Sequence, residues 1–252
     1  MELKQNLMKK SKVTEIYNDY ISLLNQQKSS RYDGKQEWFH SSSAGLCARK
    51  HYFSAVEKVD GKDFDADTLR LFRLGDVVHT DIQNAVQWYA SNNGARIYIE
   101  KELFLHDLKV RGFIDLVMVD DGVLYDIKTC NDWKWKTIFG RKYKDENAVK
   151  NYMMQSATYA YWYKEHHEQD FPELNAIKLL FYNKNNSSMR ELDVPMSMIQ
   201  ESVDYWTNVK NVTDVGLPDI SIGFAPMYTW ECSDKYCSFY EVCGGGIHNE
   251  KK

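Results

Sequence analysis

Two acidic residues and a lysine occur where two predicted strands meet. Asp115 ends the segment Gly-Phe-Ile-Asp at 112–115, and Asp126 and Lys128 flank a single isoleucine. Side chains alternate across a strand, so Asp126 and Lys128 share one face while Ile127 points to the other. These residue types suit a divalent cation held by carboxylates, with a lysine beside it.

The register of this hairpin remains open between two alternatives. A turn centred on Asp120–Asp121 places Asp115 opposite Asp126, whereas a turn at Asp121–Gly122 places it opposite Lys128. In both registers the three charged side chains share a face. Opposed carboxylates repel each other, and a cation between them, Mg²⁺ or Mn²⁺, would remove the repulsion. The alternative is a solvated hairpin face, since similar acid-x-Lys triplets recur at 107–109 and 132–134.

Two predicted helices carry further polar side chains that point to a site. Gly75 and His79 form a Gly-x-x-x-His segment on an otherwise apolar helix, and Gln155 and Tyr159 are four residues apart on one helical face. Each has a simpler explanation, because a helix histidine is commonly a surface or hydrogen-bonded residue. Gln155 and Tyr159 could equally be an ordinary helix pair.

The elements that must position these residues follow from the hydrophobic pattern. Apolar spacing predicts helices over 12–26, 67–92, 148–166 and 196–211, and strands over 96–105, 109–119, 123–129, 176–183 and 189–194. Asp67 is the predicted N-cap of the second helix, and Gly94 its stop. His106–Asp107 is the predicted turn between the first two strands, and 131–147 is a basic and aromatic stretch that leads into the helix at 148–166. The order αβββαβ predicts a mixed α/β fold.

Together, the four motifs at 75–79, 112–115, 126–129 and 155–159 resemble those of RecB-type nucleases of the PD-(D/E)XK superfamily. The resemblance implies a restriction-endonuclease-like αβββαβ core with a mixed central sheet, added N-terminal helices and a C-terminal cysteine-rich tail. The implied reaction is phosphodiester hydrolysis.

The resemblance also implies a role for each motif residue. One or two Mg²⁺ or Mn²⁺ ions would be ligated by His79, Asp115, Asp126 and the backbone carbonyl of Ile127. Lys128 would orient the attacking water and help to deprotonate it. Gln155 and Tyr159 would position the nucleic-acid strand or the lysine.

The cysteines suggest a second metal centre. Three of them, Cys232, Cys237 and Cys243, lie close together near the C-terminus, and Cys47 lies far upstream. The N-terminal segment is too charged for a secretory signal, and thiols in a reducing compartment stay free of disulfides, which favours metal ligation. Cys130 has no obvious partner, and we expect it to be a buried thiol.

This cysteine pattern resembles the iron–sulfur nucleases of the same superfamily, which include the AddB subunit of recombination nucleases and a CRISPR-associated adaptation exonuclease. It implies a [4Fe–4S] cluster held by Cys47, Cys232, Cys237 and Cys243. The sequence departs from the usual pattern in one respect, because four residues rather than two separate Cys232 from Cys237. Structural zinc is the alternative, with His51 as an additional ligand.

A basic and aromatic stretch follows the Asp-Ile-Lys segment. Over 128–150 the basic residues are Lys128, Lys134, Lys136, Arg141, Lys142, Lys144 and Lys150, and the interleaved aromatics are Trp133, Trp135, Phe139 and Tyr143. Basic side chains follow phosphates and exposed aromatics stack on unpaired bases, so the stretch favours single-stranded DNA. The alternative is a solvated loop whose aromatics pack inward.

The composition of the chain excludes two further classes of protein, general polyanion binders and membrane proteins. The chain has 252 residues, a net charge of −4 and a pI near 6.0, so it is not a generally basic polyanion-binding protein. No apolar run approaches the roughly 20 residues of a membrane helix, and we expect a cytoplasmic protein without a membrane partner. We expect one nuclease domain over 1–252, with an N-terminal segment (1–65), a core (66–195) and a C-terminal helix and tail (196–252).

These observations predict a metal-dependent DNA exonuclease that acts on single-stranded ends and carries a structural [4Fe–4S] cluster. Protein partners in recombination, CRISPR adaptation or phage replication would be compatible with such an enzyme. The alternatives are a non-catalytic DNA-binding or scaffold subunit on the same fold, a structure-specific endonuclease, and a zinc-stabilised protein of unrelated activity.

Overall fold

The computed structural model of the chain describes residues 12–30, 37–142, 144–167, 172–219 and 229–244. Its α-helices are α1 (Val13–Ser30), α2 (Ala48–His51), α3 (Ala66–Asn93), α4 (Asp132–Phe139), α5 (Lys150–His166) and α6 (Met198–Asp214). Its strands are β1 (Phe39–His40), β2 (Ile97–Leu105), β3 (Val110–Met118), β4 (Val123–Cys130), β5 (Ala176–Asn183) and β6 (Met189–Val194). Shorter turns are 3₁₀ at Ser41–Ser43, Glu146–Val149 and Thr229–Glu231, and π-helical at Tyr52–Val56.

All six strands belong to one mixed sheet, with β1, β3, β4, β5 and β6 as successive neighbours and β2 paired to β3. The pairs β2–β3, β3–β4 and β5–β6 are antiparallel, and β1–β3 and β4–β5 are parallel. Because β2 pairs along the whole of β3, strands β1 and β4 share the other edge of β3. This sharing is possible because each of them pairs with only one end of β3.

Helix α5 packs on the sheet and α6 packs on α5, and the two helices form much of the core. Tyr163 and Trp206 are completely buried, and the indole Nε1 of Trp206 donates to Thr158 Oγ1 at 2.9 Å. Phe181 on β5 lies in the same core. The hydrogen bond satisfies the one polar atom of the largest buried side chain, and it fixes α6 against α5.

The predicted αβββαβ order is confirmed, with three local differences. The N-cap of α3 is Asp65 rather than Asp67, because the Asp65 carboxylate accepts the Thr68 N–H at 2.7 Å. Helix α1 continues past the predicted end at residue 26 to Ser30. Within the basic and aromatic stretch 131–147, for which the sequence predicts no helix, Asn131 caps the helix α4 by accepting the Lys134 N–H.

In the described ranges, no helix is both long enough and apolar enough to cross a membrane.

Candidate active site

The functional site begins where strands β3 and β4 separate. The two strands pair through Leu116–Tyr125 and the next two positions toward the turn, and the register continues to Asp115 opposite Asp126. Beyond that point the N–H of Ile127 donates to Asp115 Oδ2 at 2.7 Å. We call this opening between β3 and β4 the fork. Its register is the first of the two alternatives, with the turn at Asp120–Asp121.

Lys128 lies in the fork beside Asp126, which is completely buried. The Lys128 Nζ lies 2.9 Å from Asp126 Oδ1 and 2.7 Å from Oδ2, and it donates to Gln155 Oε1 at 3.1 Å. The amide Nε2 of Gln155 in turn donates to the Tyr159 hydroxyl at 2.6 Å. Helix α5 therefore fixes the lysine through the two residues that the sequence places on one of its faces.

The electrostatics of the fork favour a cation. Burial raises the pKa of Asp115 to about 7, and the neighbouring charge of Asp126 adds to the effect. Burial also raises the pKa of Asp126, while the nearby Lys128 opposes the rise. Asp126 Oδ2 is buried and, despite the nearby ammonium, has no hydrogen-bond donor in good alignment. Two buried carboxylates with an under-satisfied oxygen are the donor set that a divalent cation completes.

Helix α3 brings His79 to the same place. The imidazole Nε2 contacts the carbonyl oxygen of Ile127 and lies 3.6 Å from Asp115 Oδ2. The structure thus brings together all four of the metal ligands implied by the sequence: His79, Asp115, Asp126 and Ile127. An imidazole nitrogen with carboxylate and carbonyl oxygens fits Mn²⁺ or Mg²⁺.

Glu100 on β2 is a functional candidate that the sequence analysis missed. One ligand atom each from Glu100, His79 and Asp115 lies within 4.8 Å of the others. The predicted turn at His106–Asp107 would pair Glu100 with Phe113, but residues 106–109 all belong to the turn and the register shifts by two. A longer turn in the sequence analysis would have placed Glu100 beside Asp115.

Ser41 is a second missed residue, and it explains the glycine of the Gly-x-x-Asp segment. Parallel pairing of β1 with β3 ends at His40–Arg111, which brings Ser41 beside Gly112. Ser41 Oγ donates to the Tyr159 hydroxyl at 3.3 Å, and both residues are buried. A Cβ at position 112 would lie 1.9 Å from Ser41 Oγ and 2.8 Å from Ser41 Cβ. Only glycine leaves room for this contact.

The structure brings the segment that carries Cys47 beside the segment that carries Cys243. Burial raises the pKa of the Cys47 and Cys237 thiols, with smaller contributions from Cys243 to both and from Cys232 to Cys237. Arg49 Nη1 donates to Cys243 Sγ at 3.5 Å. Cys130 is buried at the end of β4, as expected.

The basic and aromatic stretch divides into outward and inward side chains. Trp133 on α4 is 71% exposed. Trp135 packs on Phe139 with ring centres 4.7 Å apart, and Phe139 packs on the buried Phe181 at 5.6 Å. Tyr143 lies outside the described residues. Both alternatives therefore apply in part, since one aromatic is available for stacking and two support the core.

We predict that Gly112→Ala lowers the free energy of unfolding by about 2 kcal/mol, because the added methyl overpacks a buried contact. DNA cleavage should fall with it, since Tyr159 and then Gln155 lose their position. Chemical denaturation measures the first effect. Gly75→Ala is the matched control, because its added methyl would meet Thr129 Oγ1 at an ordinary 3.4 Å. Equal stability of the two variants would contradict this account.

The raised pKa of Asp115, about 7, predicts a pH-dependent stability. The folded protein holds the Asp115 proton more tightly than the unfolded chain does. Protonation of Asp115 therefore adds its full contribution to the free energy of unfolding below the unfolded pKa near 4, and this contribution is lost as the pH rises through 7. In thermal unfolding without divalent ions, the midpoint temperature should therefore decrease as the pH is raised from 5 to 8.

Added Mn²⁺ should raise the midpoint temperature more at pH 8 than at pH 5. Asp115→Asn should flatten both dependences, and a pH dependence unchanged in this variant would contradict the assignment.

A family model matches part of the chain, and two solved structures are similar to it. Residues 85–244 match the PD-(D/E)XK nuclease superfamily. The structure entitled "Crystal structure of SSO0001" has a TM-score of 0.54 and 14% identity, and covers 91% of this chain and 96% of its own. An alkaline exonuclease (LHK-Exo) from Laribacter hongkongensis has a TM-score of 0.45 and 10% identity, and covers 74% of this chain and 93% of its own.

No curated protein matches the chain. The likeness to the SSO0001 structure shows a shared fold and no more. The matched range 85–244 contains Asp115, Asp126, Lys128, Gln155 and Tyr159, and begins just after His79. It extends over more than half of the sequence, and the chain therefore belongs to the PD-(D/E)XK nuclease superfamily.

Proposed function

We propose that the protein is a Mg²⁺- or Mn²⁺-dependent DNA exonuclease that hydrolyses phosphodiester bonds at single-stranded ends. The observation that carries this proposal is the meeting of Asp115, Asp126 and Lys128 in the fork, with the lysine held by Gln155. Membership of a nuclease superfamily supports the reaction class. A non-catalytic scaffold subunit is the weaker alternative, because it would have no need for the buried charges.

The cation would be held by His79, Asp115, Asp126 and the carbonyl oxygen of Ile127. In the fork, each of these groups offers an oxygen or nitrogen donor of the type that Mg²⁺ and Mn²⁺ bind. When bound, the cation lowers the pKa of a coordinated water and stabilises charge on the phosphate. Glu100 lies close enough to His79 and Asp115 to extend this set.

Lys128 would orient the attacking water and stabilise the phosphoryl oxygens. Burial alone would lower the pKa of Lys128, but the carboxylates of Asp126 and Asp115 outweigh it and raise the pKa overall. The side chain is therefore a charged donor at neutral pH. Lys128 would also help to deprotonate the attacking water once the neighbouring carboxylates hold a cation.

Gln155 and Tyr159 would position Lys128 rather than the nucleic-acid strand. Because Gln155 Oε1 accepts from Lys128, its amide nitrogen must point to the Tyr159 hydroxyl. Tyr159 is itself held by Ser41. This chain of contacts keeps the ammonium at a fixed place in the fork, which is the positioning that phosphodiester hydrolysis requires.

The exposed face of α4 supports a single-stranded substrate. Trp133 presents its indole to solvent five residues after Lys128, and Lys136, Arg141 and Lys142 nearby are exposed. An exposed indole stacks on an unpaired base, while the basic side chains follow the phosphates. A single strand of DNA bound in this way would run from α4 into the fork.

We predict that Asp126→Asn and Lys128→Met each reduce cleavage of end-labelled linear DNA by about 10³-fold, since each removes preorganised charge from the reacting centre. The matched control is Asp204→Asn, which replaces an exposed carboxylate on α6. Circular single-stranded DNA in the same assay should remain intact. Cleavage of the circles would replace the exonuclease reading with an endonuclease, and activity of Asp126→Asn at the parent's rate would contradict the site.

We also propose that Cys47, Cys232, Cys237 and Cys243 hold a structural [4Fe–4S] cluster. The support is the resemblance of the cysteine pattern, together with the contact of Arg49 Nη1 with Cys243 Sγ, which links the segment of Cys47 to that of Cys243. The backbone N–H groups of Arg49 and Lys50 oppose the rise in the pKa of Cys47, and that of Phe239 opposes the rise in the pKa of Cys237.

This cluster would join the N-terminal segment (1–65) and the C-terminal tail (196–252) to the core, making one domain of the whole chain. Direct contacts already connect the two segments. Arg49 Nε donates to the Pro218 carbonyl at 2.6 Å, and Phe53 packs against Phe239 with ring centres 5.9 Å apart. The ring contact lies beside Cys237 in the sequence and helps to bring the thiols together.

Anaerobic purification should give a brown protein with about four irons per chain. Cys47→Ser should lose the colour and the iron, because it removes the ligand from the N-terminal segment. Cys130→Ser is the matched control and should keep both. A colourless protein that contains zinc would contradict the cluster while leaving the nuclease site untouched.

A further inference from the structure

Two lysines share the aromatic ring of Tyr152. The Nζ atoms of Lys128 and Lys134 each lie over this ring, 5.3 Å from its centre. At most twice that distance therefore separates the two ammonium groups. The ring itself packs against Phe181 in the core, with ring centres 6.3 Å apart. Because the face of an aromatic ring attracts cations, Tyr152 stabilises two like charges close to each other beside the fork.

Helices α4 and α5 position these side chains. Tyr152 lies one helical turn before Gln155 on α5, so the ring and the amide reach Lys128 from the same face of the helix. Lys134 lies in the first turn of α4, and its Nζ donates to the carbonyl oxygen of Ala148 in the 3₁₀ turn that precedes α5. The Lys134 side chain therefore crosses from one helix to the other and ends beside the fork.

The ammonium group of Lys134 lacks a close counter-charge. The residue is partly buried, and within the described part of the chain its Nζ bonds to the Ala148 carbonyl oxygen and forms no ion pair. Burial lowers the pKa of Lys134, and the acidic groups around it offset this effect only in part. A partly buried ammonium group of this kind is unfavourable, and a bound anion would stabilise it.

Tyr152 adds a hydrogen-bond donor at the same place. Its hydroxyl group forms no hydrogen bond with the residues that the structure describes. Burial raises the pKa of Tyr152, although the charge of Lys128 opposes the rise, so the hydroxyl keeps its proton at neutral pH. Ammonium groups and a hydroxyl proton are the donors that phosphate oxygens accept.

The exposed indole of Trp133 indicates which phosphate would bind here. Trp133 directly precedes Lys134 on α4, and Lys134 in turn shares the Tyr152 ring with Lys128. A single strand that stacks a base on Trp133 and places its scissile phosphate at Lys128 would bring a neighbouring phosphate to Lys134.

We propose that Lys134 and Tyr152 form a phosphate-binding subsite beside Lys128, which holds the phosphodiester next to the scissile one in a single strand of DNA. The inference rests on the proposed function and extends it from the reacting phosphate to its neighbour. Lys134 would donate from its ammonium group and Tyr152 from its hydroxyl group. Binding at the neighbouring phosphate would keep the scissile bond in place in the fork.

Neutral linkages in the DNA locate this subsite. Labelled single-stranded oligonucleotides, each with one methylphosphonate linkage at a different position, are titrated with Asp126→Asn protein without divalent ions, so that the strand stays intact and fewer carboxylates repel it. Fluorescence anisotropy measures the affinity. Two adjacent neutral positions should each lower the affinity about tenfold or more, because each loses charge-assisted hydrogen bonds.

Variants in the same background assign each position to a residue. After Lys134→Met, one of the two neutral linkages should lower the affinity no further, and after Lys128→Met the other should lower it no further. Tyr152→Phe, which keeps the ring and removes the hydroxyl group, should weaken the effect of the Lys134 position alone. Lys164→Met changes an exposed lysine on α5, and this matched control should keep both positional effects.

A Lys134→Met variant that loses the same affinity for every oligonucleotide would show that the contact with Ala148 only supports the fold, and it would overturn the inference. So would positions for Lys134 and Lys128 that are not adjacent in the strand.

Cleavage by the parent protein with Mn²⁺ separates this inference from the proposed function. Parent protein that cleaves DNA, with no position assigned to Lys134, fails only the subsite inference. Parent protein that cleaves no DNA, with adjacent positions assigned to Lys134 and Lys128, fails only the proposed function.

Discussion

The hydrogen bond from the Ile127 N–H to the Asp115 carboxylate is the interaction on which the site depends. In a continuous antiparallel ladder, β3 and β4 would satisfy each other's backbone groups. Here a side-chain oxygen takes the place of a backbone acceptor, and the strands part just beyond Leu116–Tyr125. The opening leaves space for Lys128, and it exposes the Ile127 carbonyl oxygen to His79. The paired ends of the same strands keep the fork rigid.

The remaining elements hold the contents of the fork from outside. From α5, Gln155 and Tyr159 fix the lysine, and Ser41 at the end of β1 fixes the tyrosine. Gly112 permits that contact because any side chain there would collide with Ser41. The Ser41–Ser43 turn is followed closely by Cys47, so the segment that carries Cys47 is connected to Lys128 through Ser41, Tyr159 and Gln155.

Local pattern was sufficient to predict the strands, the long helices and the face on which the fork residues lie. The Asp-Ile-Lys segment lies in an apolar strand, where alternation fixes which side chains are neighbours. The register of β2 against β3 could not be predicted from local pattern in the same way. The position of Glu100 depends on whether two or four residues make the turn after Leu105, and both lengths are common in hairpins. Ser41 was missed because its partners are far away in sequence.

Helix α4 shows a different limit. Its sequence is rich in Lys and Trp, and a short basic segment after a strand resembles a loop. The helix forms because Asn131 caps it and because Trp135 and Phe139 pack inward against Phe181. Inward packing of this kind depends on residues that are distant in the sequence, so local pattern does not predict it. It leaves Trp133 as the aromatic side chain that α4 presents to solvent.

The most direct measurement of the central claim is anomalous diffraction from crystals of the protein grown with Mn²⁺ and a short single-stranded oligonucleotide. The account predicts an anomalous peak in the fork at coordination distance, about 2.1 Å, from the imidazole of His79 and from oxygens of Asp115, Asp126 and Ile127. It also predicts a phosphate next to the Lys128 ammonium. The absence of an anomalous peak from the fork, or an oligonucleotide bound at another face of the sheet, would contradict the account.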